Sequence, residues 1–179
     1  MISRTAAANA KRKPKHRATF QRDVPDDIRA LDTIENPDYA DLFRVPAATS
    51  HITSPKRWAH DLVGNAPLSM RLLTGGALLV QRALLGLRST PGVPQTDRLI
   101  TGWHIAARGD RWLRLEASGR MMTGHIVIRL DDDRITGATF VRYHGRTAAL
   151  VWPPVSLVHR QVGLALMRYA ARSTDAMQP

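Results

Sequence analysis

Histidines are the side chains in this sequence that are best suited to proton transfer or metal binding near neutral pH. The chain contains 7 of them. None stand in an H-x-H or H-x-x-x-H spacing, which would set two imidazoles side by side, so the sequence predicts no metal site. His104, His125 and His144 fall on predicted strands and are expected to be half-exposed, each with a hydrogen-bond partner, although a sheet would also let them meet. His159 falls near the start of the last predicted helix, where we expect a packing or hydrogen-bonding residue.

Two groups of carboxylates are the next candidates for chemistry. A carboxylate at a cavity wall acts as a general acid or base if burial raises its pKa. Glu116, however, alternates with Leu113 and Leu115, so it is expected to face solvent if those two residues face the core. The run Asp131–Asp133 lacks the spacing of a calcium loop, and we interpret it as the tip of a hairpin.

The sequence contains none of the common catalytic motifs. The G-x-S-x-G elbow, the Walker glycine loop, the G-x-G-x-x-G loop and the H-E-x-x-H helix are all missing. There are 0 cysteines, which excludes a thiol nucleophile, a disulfide scaffold and thiolate metal ligands. No catalytic residue and no cofactor is therefore predicted.

Basic residues dominate the charge of the chain, which has a net charge of +11. Residues 1–22 carry seven basic residues and no acid, whereas residues 23–35 carry five acids against the single base Arg29. Such a basic run holds anionic partners weakly and without sequence specificity, by releasing counterions from phosphates or a membrane surface. The alternative is a solvated tail. The residues expected to bind anions are Lys11, Arg12, Lys13, Lys15 and Arg17.

The length of 179 residues and the 44% content of hydrophobic residues suit one domain with a real core. The most apolar run, Leu72–Val80, is shorter than the roughly 20 residues of a spanning helix, so we expect a buried helix there. The N-terminus also lacks the apolar stretch of a signal peptide. These features predict a soluble, cytoplasmic protein.

Turn and cap signals divide the chain into a tail, a folded domain and a short end. Residues 1–36 have few large apolar side chains and are expected to be a disordered tail. A single domain is expected over residues 37–172, followed by a C-terminal tail at 173–179. Within it, the patterns predict a strand at Tyr39–Val45, two short helices that begin near Ser54 and Pro67, about four meander strands from Gly102 to His144, and a long helix over Pro154–Arg172. This order is typical of an α+β fold in which a helix covers one face of an antiparallel sheet.

This order of elements resembles the helix-grip fold of the START-related, polyketide-cyclase-like (SRPBCC) superfamily, in which a curved antiparallel sheet wraps a long C-terminal helix. The local sequence is similar to that of an uncharacterised bacterial family, domain of unknown function 2867. The segments that carry the resemblance are Pro37–Val45 (PDYADLFRV), Ser54–His60 (SPKRWAH), Leu84–Arg88 (LLGLR) and Val155–Arg160 (VSLVHR). The resemblance implies an apolar cavity between sheet and helix but transfers no activity. Trp152–Pro154 departs from the pattern just before the last helix.

The main functional prediction is therefore the binding of a small apolar or amphipathic molecule between the sheet and the C-terminal helix. Two alternatives remain open. One is a cyclase- or dehydratase-like enzyme in the same cavity, in which a His or Tyr moves a proton, and the other is an adaptor for nucleic acid or anionic membranes acting through the tail. The residues expected to contact the ligand are Trp103, Leu113, Leu115, Ile126, Ile128, Tyr143, Val158, Val162 and Leu166.

Overall fold

The computed structural model describes residues 17–85, 99–100 and 102–176. Its strands are β1 (Thr19–Gln21), β2 (Tyr39–Pro46), β3 (Leu99–Ile100), β4 (Trp103–Arg108), β5 (Trp112–Ser118), β6 (Met122–Asp131) and β7 (Arg134–Tyr143). Its helices are α1 (Asp26–Arg29), α2 (Pro55–Gly64), α3 (Leu68–Leu85) and α4 (Arg146–Ala176). The predicted α+β class, with an antiparallel sheet and a long C-terminal helix, is confirmed.

The strands form one curved, open, antiparallel sheet in the order β1-β2-β7-β6-β5-β4-β3. The central strands β5, β6 and β7 follow each other as hairpins, and β7 then pairs with β2 along the whole of that strand. Alternation assigns the faces as predicted: Leu113 and Leu115 are buried on one face, while Arg114 and Glu116 lie on the other. Each functional side chain described below therefore comes either from this one sheet or from a helix.

Three helices cover the face that holds Leu113 and Leu115. Helix α4 packs against β1, β2 and β7, whereas α2 packs against β3, β5 and β6 and α3 contacts α4 and β6. Helix α2 begins where the sequence indicates, because the Ser54 hydroxyl accepts a hydrogen bond from the Arg57 amide at 3.3 Å and Pro55 occupies the first turn. Among the described residues, none of the helices combines the length and apolar character needed to cross a bilayer.

The opposite face of the sheet is also buried, which corrects the predicted tail. Residues 1–16 lie outside the described residues, but β1 pairs with β2, and α1 follows it. Val24 and Ile28 are buried against Leu42, Val127 and Phe140 on this second face. The disordered tail expected over residues 1–36 is therefore wrong for residues 17–36, because the acids of this segment alternate with apolar side chains that cover the sheet.

Helix α4 is longer at both ends than the sequence predicts. It begins at Arg146 and includes Pro153 and Pro154, so both prolines lie inside the helix and not before it. At its other end Thr174 is fully buried and its hydroxyl accepts a hydrogen bond from the Trp58 indole at 2.9 Å. The C-terminal tail predicted from residue 173 is therefore wrong for residues 173–176, while 177–179 lie outside the described residues. The two helices that were predicted to be short and to follow the first strand follow β2, which is the second strand. The second of these helices, α3, spans 18 residues and is therefore not short.

Candidate functional site

Strand β2 carries a carboxylate into the middle of the protein. Tyr39, Asp41 and Phe43 alternate along β2 and all three side chains are buried. Asp41 is 0% exposed and lies opposite Thr139 of β7 in the strand register. An ionisable side chain without access to water is costly unless it is paired, so its partners decide what this position does.

Helix α4 supplies an imidazole to the same place. The His159 Nε2 atom lies 3.4 Å from the Asp41 Oδ2 atom and 3.2 Å from the Thr139 hydroxyl. Helix and strand can approach this closely because Gly163, one turn further along α4, has no side chain: a Cβ there would lie 2.6 Å from the tip of the Phe43 ring. The close approach therefore sets the distance between imidazole and carboxylate.

The Tyr39 hydroxyl completes this group. It donates a hydrogen bond of 2.5 Å to Asp41 Oδ2, the oxygen that faces His159. Burial raises the pKa of Tyr39 well above its ordinary value, and the negative charge of Asp41 raises it further. Tyr39 is consequently a neutral phenol that holds the carboxylate in place. We call Tyr39, Asp41, Thr139 and His159 the Asp41 cluster.

One oxygen of the cluster is left without a partner. Asp41 Oδ1 is buried and makes no hydrogen bond to any part of the chain that the structure describes. Two cations contact Tyr39: a side-chain hydrogen bond with Arg160 lowers the pKa of the phenol against the larger effect of burial, and the Arg22 guanidinium lies 5.7 Å from the centre of the ring. A buried polar atom without a partner costs stability, and such atoms are concentrated at functional sites.

Aromatic rings surround the imidazole. The centres of the Phe43 and Trp152 rings both lie 5.8 Å from that of His159, and the Tyr39 ring lies 6.4 Å away. The His159 side chain nevertheless remains 13% exposed, whereas Asp41 is fully covered. The arrangement is an apolar setting with one partly exposed imidazole beside a carboxylate, and a carboxylate in that position orients the ring.

A second polar cluster lies on the opposite face and is fully paired. His125 Nδ1 lies 2.5 Å from Asp32 Oδ1, and the Glu116 carboxylate accepts a 2.9 Å hydrogen bond from Arg114. Asp32 Oδ2 accepts from the Ile34 amide at 3.2 Å, and Arg114 donates to the Leu31 carbonyl at 3.1 Å. This Asp32–His125 clip fastens residues 31–34 to the sheet. Because its groups are satisfied, we regard the clip as structural and the Asp41 cluster as the candidate functional site.

His125 is buried in this clip, which corrects the expectation that it is half-exposed, whereas the other two strand histidines are exposed. His104 is exposed, and His144 lies 3.0 Å from the Thr123 hydroxyl, so the three strand histidines do not come together. Asp132 and Asp133 are exposed at the hairpin tip. Among the described residues, no group of three or more His, Asp or Glu side chains is arranged to hold a metal ion.

The residues predicted to contact a ligand fall in two separate regions. Six of them are buried or half-buried on β4, β5, β6 and β7 and belong to the main core; these are Trp103, Leu113, Leu115, Ile126, Ile128 and Tyr143. On α4, Val162 is buried and Leu166 is half-buried, but Val158 is 60% exposed. The sheet contacts of α4 are mainly with β1, β2 and β7, whereas β5, which carries Leu113 and Leu115, is contacted by α2. Val158 therefore lies on the outer side of α4.

The predicted anion-binding residues are only partly described. Arg17 is exposed, whereas Lys11, Arg12, Lys13 and Lys15 lie outside the described residues.

Sequence reasoning did not select Tyr39 and Asp41. The signal that could have identified them is the pattern Tyr39-x-Asp41-x-Phe43, in which a carboxylate shares one face of a strand with two aromatic side chains.

Comparison with known proteins adds no assignment: no protein-family model matches this chain, and no curated protein matches it.

Proposed function

We propose that this chain binds a small, mostly apolar molecule beside α4 and that the Asp41–His159 pair moves a proton to or from it. The observation that carries the proposal is the buried Asp41 carboxylate, which is 0% exposed and lies 3.4 Å from an imidazole, and one of whose oxygens has no partner among the described residues. A chain selected only for stability gains more from an apolar residue at such a position. The cyclase- or dehydratase-like alternative of the sequence analysis is thus the better supported one.

Each member of the cluster has a distinct role in this proposal. His159 is the general acid or base, because its side chain is the partly exposed one. Asp41 orients the imidazole, as the carboxylate of a catalytic triad does. Tyr39 keeps Asp41 in place by donating to Oδ2. The rings of Phe43 and Trp152 provide the apolar contacts that favour an aromatic or acyl ligand.

The reaction class follows from the side chains present. The pair can remove a proton from a carbon next to a carbonyl group and return it elsewhere on the same molecule, which is the step shared by isomerisation, dehydration and cyclisation. No additional reactant is needed for that proton shift. The resemblance to the START-related superfamily and to the domain of unknown function 2867 family supports the same location, because it implies an apolar site between sheet and helix.

A binding protein without chemistry is the second candidate. It is favoured by the three aromatic rings around His159, which would also hold an apolar ligand that does not react. In either case we propose a cytoplasmic protein whose main partner is a small hydrophobic molecule, with the basic N-terminal residues as a weak, nonspecific contact for anions.

Native mass spectrometry of the purified full-length protein tests the binding step, because a tightly held molecule co-purifies and is identified by its mass. Proton transfer is tested with 5-nitrobenzisoxazole, a flat apolar probe whose ring opens when a base removes one proton. We expect saturable ring opening by the wild type, lost in His159→Gln and strongly reduced in Asp41→Asn. Val158→Gln, an exposed position on the same helix, is the matched control and should behave as the wild type.

The outcomes separate the two candidates. Saturable binding of the probe with ring-opening rates that are equal in wild type and His159→Gln would contradict proton transfer and leave the binding protein. Absence of any bound molecule in mass spectrometry, together with absence of saturable probe binding, would contradict both.

A further inference from the structure

Helix α3 exposes a row of leucines to solvent. Leu68 is 70% exposed and Leu72 and Leu79 are each 68% exposed, although the sequence predicts a buried helix over Leu72–Val80. At 3.6 residues per turn these three side chains lie within a narrow stripe along one side of the helix. Exposed leucines scattered singly are ordinary, but a row of three on one helix face indicates a contact surface.

The charges beside this stripe all have one sign. Arg71 and Arg82 are exposed and lie next to the leucines on the helical wheel, and the sequence Leu68–Leu85 contains no acid. We call Leu68, Arg71, Leu72, Leu79 and Arg82 the α3 surface. Arginines that flank an apolar stripe are typical of helices that lie in the plane of a membrane surface, where the stripe enters the acyl boundary and the cations contact lipid phosphates.

Charge complementarity decides between a membrane and a second copy of the chain. A second copy would bring the same arginines and another net charge of +11 against the first. An anionic bilayer, in contrast, has an apolar layer that the leucines of one helix can enter and, nearer its surface, negative phosphates that the arginines of the same helix can contact. We infer that the α3 surface docks on an anionic lipid surface. This inference is independent of the Asp41 cluster and of the basic N-terminal residues.

Vesicle sedimentation of the full-length protein tests the inference. The vesicles contain phosphatidylcholine alone or an equal mixture of phosphatidylcholine and phosphatidylglycerol. The variant Leu68→Gln/Leu72→Gln/Leu79→Gln keeps every charge, so attraction through the N-terminal residues is unchanged. We expect binding to the mixed vesicles to fall about tenfold or more, since three largely exposed leucines no longer enter the bilayer. Circular dichroism checks that the fold is retained.

Two further variants make the result specific. Arg71→Gln/Arg82→Gln should weaken binding to the mixed vesicles about tenfold or more and leave the weak binding to phosphatidylcholine unchanged. The matched control is Leu150→Gln/Leu157→Gln/Val158→Gln, which removes exposed apolar side chains from α4 and should bind as the wild type. The inference is overturned if the α3 leucine variant binds the mixed vesicles as tightly as the wild type does. It is also overturned if the wild type binds neither kind of vesicle. A wild-type dimer in sedimentation velocity that dissociates in the α3 leucine variant would overturn it in favour of a second copy.

Discussion

The contact between α4 and β2 predicts opposite effects for the same substitution at two glycines. Gly163 lies inside α4, and a Cβ there would stand 2.6, 2.8 and 3.0 Å from three atoms of the Phe43 ring. Gly76 lies inside α3, where a Cβ would meet nothing within 4 Å. Gly163→Ala and Gly76→Ala therefore differ only in their surroundings.

The expected magnitudes follow from two terms. Replacing Gly by Ala within a helix stabilises it by about 1 kcal/mol at either site. At Gly163 the new methyl group also overlaps Phe43, which is 4% exposed and packed against Phe20 and His159, so the ring cannot easily turn away. Overpacking of this kind costs roughly 1–3 kcal/mol, and more when the contact cannot relax. We expect Gly76→Ala to raise the free energy of unfolding and Gly163→Ala to lower it by about 1–2 kcal/mol.

Thermal and urea unfolding measure both variants against the wild type. A change of 1 kcal/mol shifts the melting temperature of a domain of this size by roughly 2–4 °C, so the two variants should separate clearly. Gly163→Ala should also displace the turn that carries His159 and so reduce ring opening of 5-nitrobenzisoxazole. If Gly163→Ala is stabilised as much as Gly76→Ala, then α4 does not approach β2 as described, and the geometry of the Asp41 cluster fails with it.

Three further predictions concern other parts of the fold. Ile28→Asp should lower the free energy of unfolding by about 2–5 kcal/mol, because Ile28 is 2% exposed, whereas a disordered tail would leave urea unfolding unchanged. Burial raises the pKa of Tyr39 above its unfolded value of 10.0, so the contribution of the neutral phenol to stability is complete below pH 10.0 and declines as the pH rises further. Tyr39→Phe should therefore lower the free energy of unfolding at neutral pH and flatten its decline at alkaline pH, as measured by urea titrations. A double-mutant cycle on Asp32→Ala and His125→Ala should give a coupling free energy of about 1–3 kcal/mol, and strict additivity would show that the clip does not hold the segment.

Much of the sheet follows from local patterns. The alternation of Leu113, Arg114, Leu115 and Glu116 assigns the two faces of β5 correctly, since successive side chains of a strand point to opposite sides. Ser54 caps α2 as its side chain predicts. Apolar residues lie on both faces of β7, so alternation assigns no buried face there, and the structure explains this because both faces of that strand are covered.

The phase of α4 shows where local patterns fail. A stripe through Val155, Val158 and Val162 satisfies a helical period, but of these only Val155 and Val162 pack inward and Val158 is exposed. A second stripe, through Trp152, His159 and Gly163, contacts β2. Hydrophobicity favours the valines. The second stripe contains Gly163, whose lack of a side chain allows helix and strand to approach, and hydrophobicity scales do not represent such shape complementarity.

The sequence by itself determined the α+β class, the hairpins β5–β7, the cap of α2 and the existence of a long final helix, because each depends on neighbours within a few residues along the chain. Only the tertiary structure decided that residues 17–36 cover the second face of the sheet, and that Asp41 and His159 lie 3.4 Å apart. These depend on which elements pack together across more than a hundred residues of chain. Long-range packing of that kind selects among several locally acceptable patterns, and no local propensity encodes the choice.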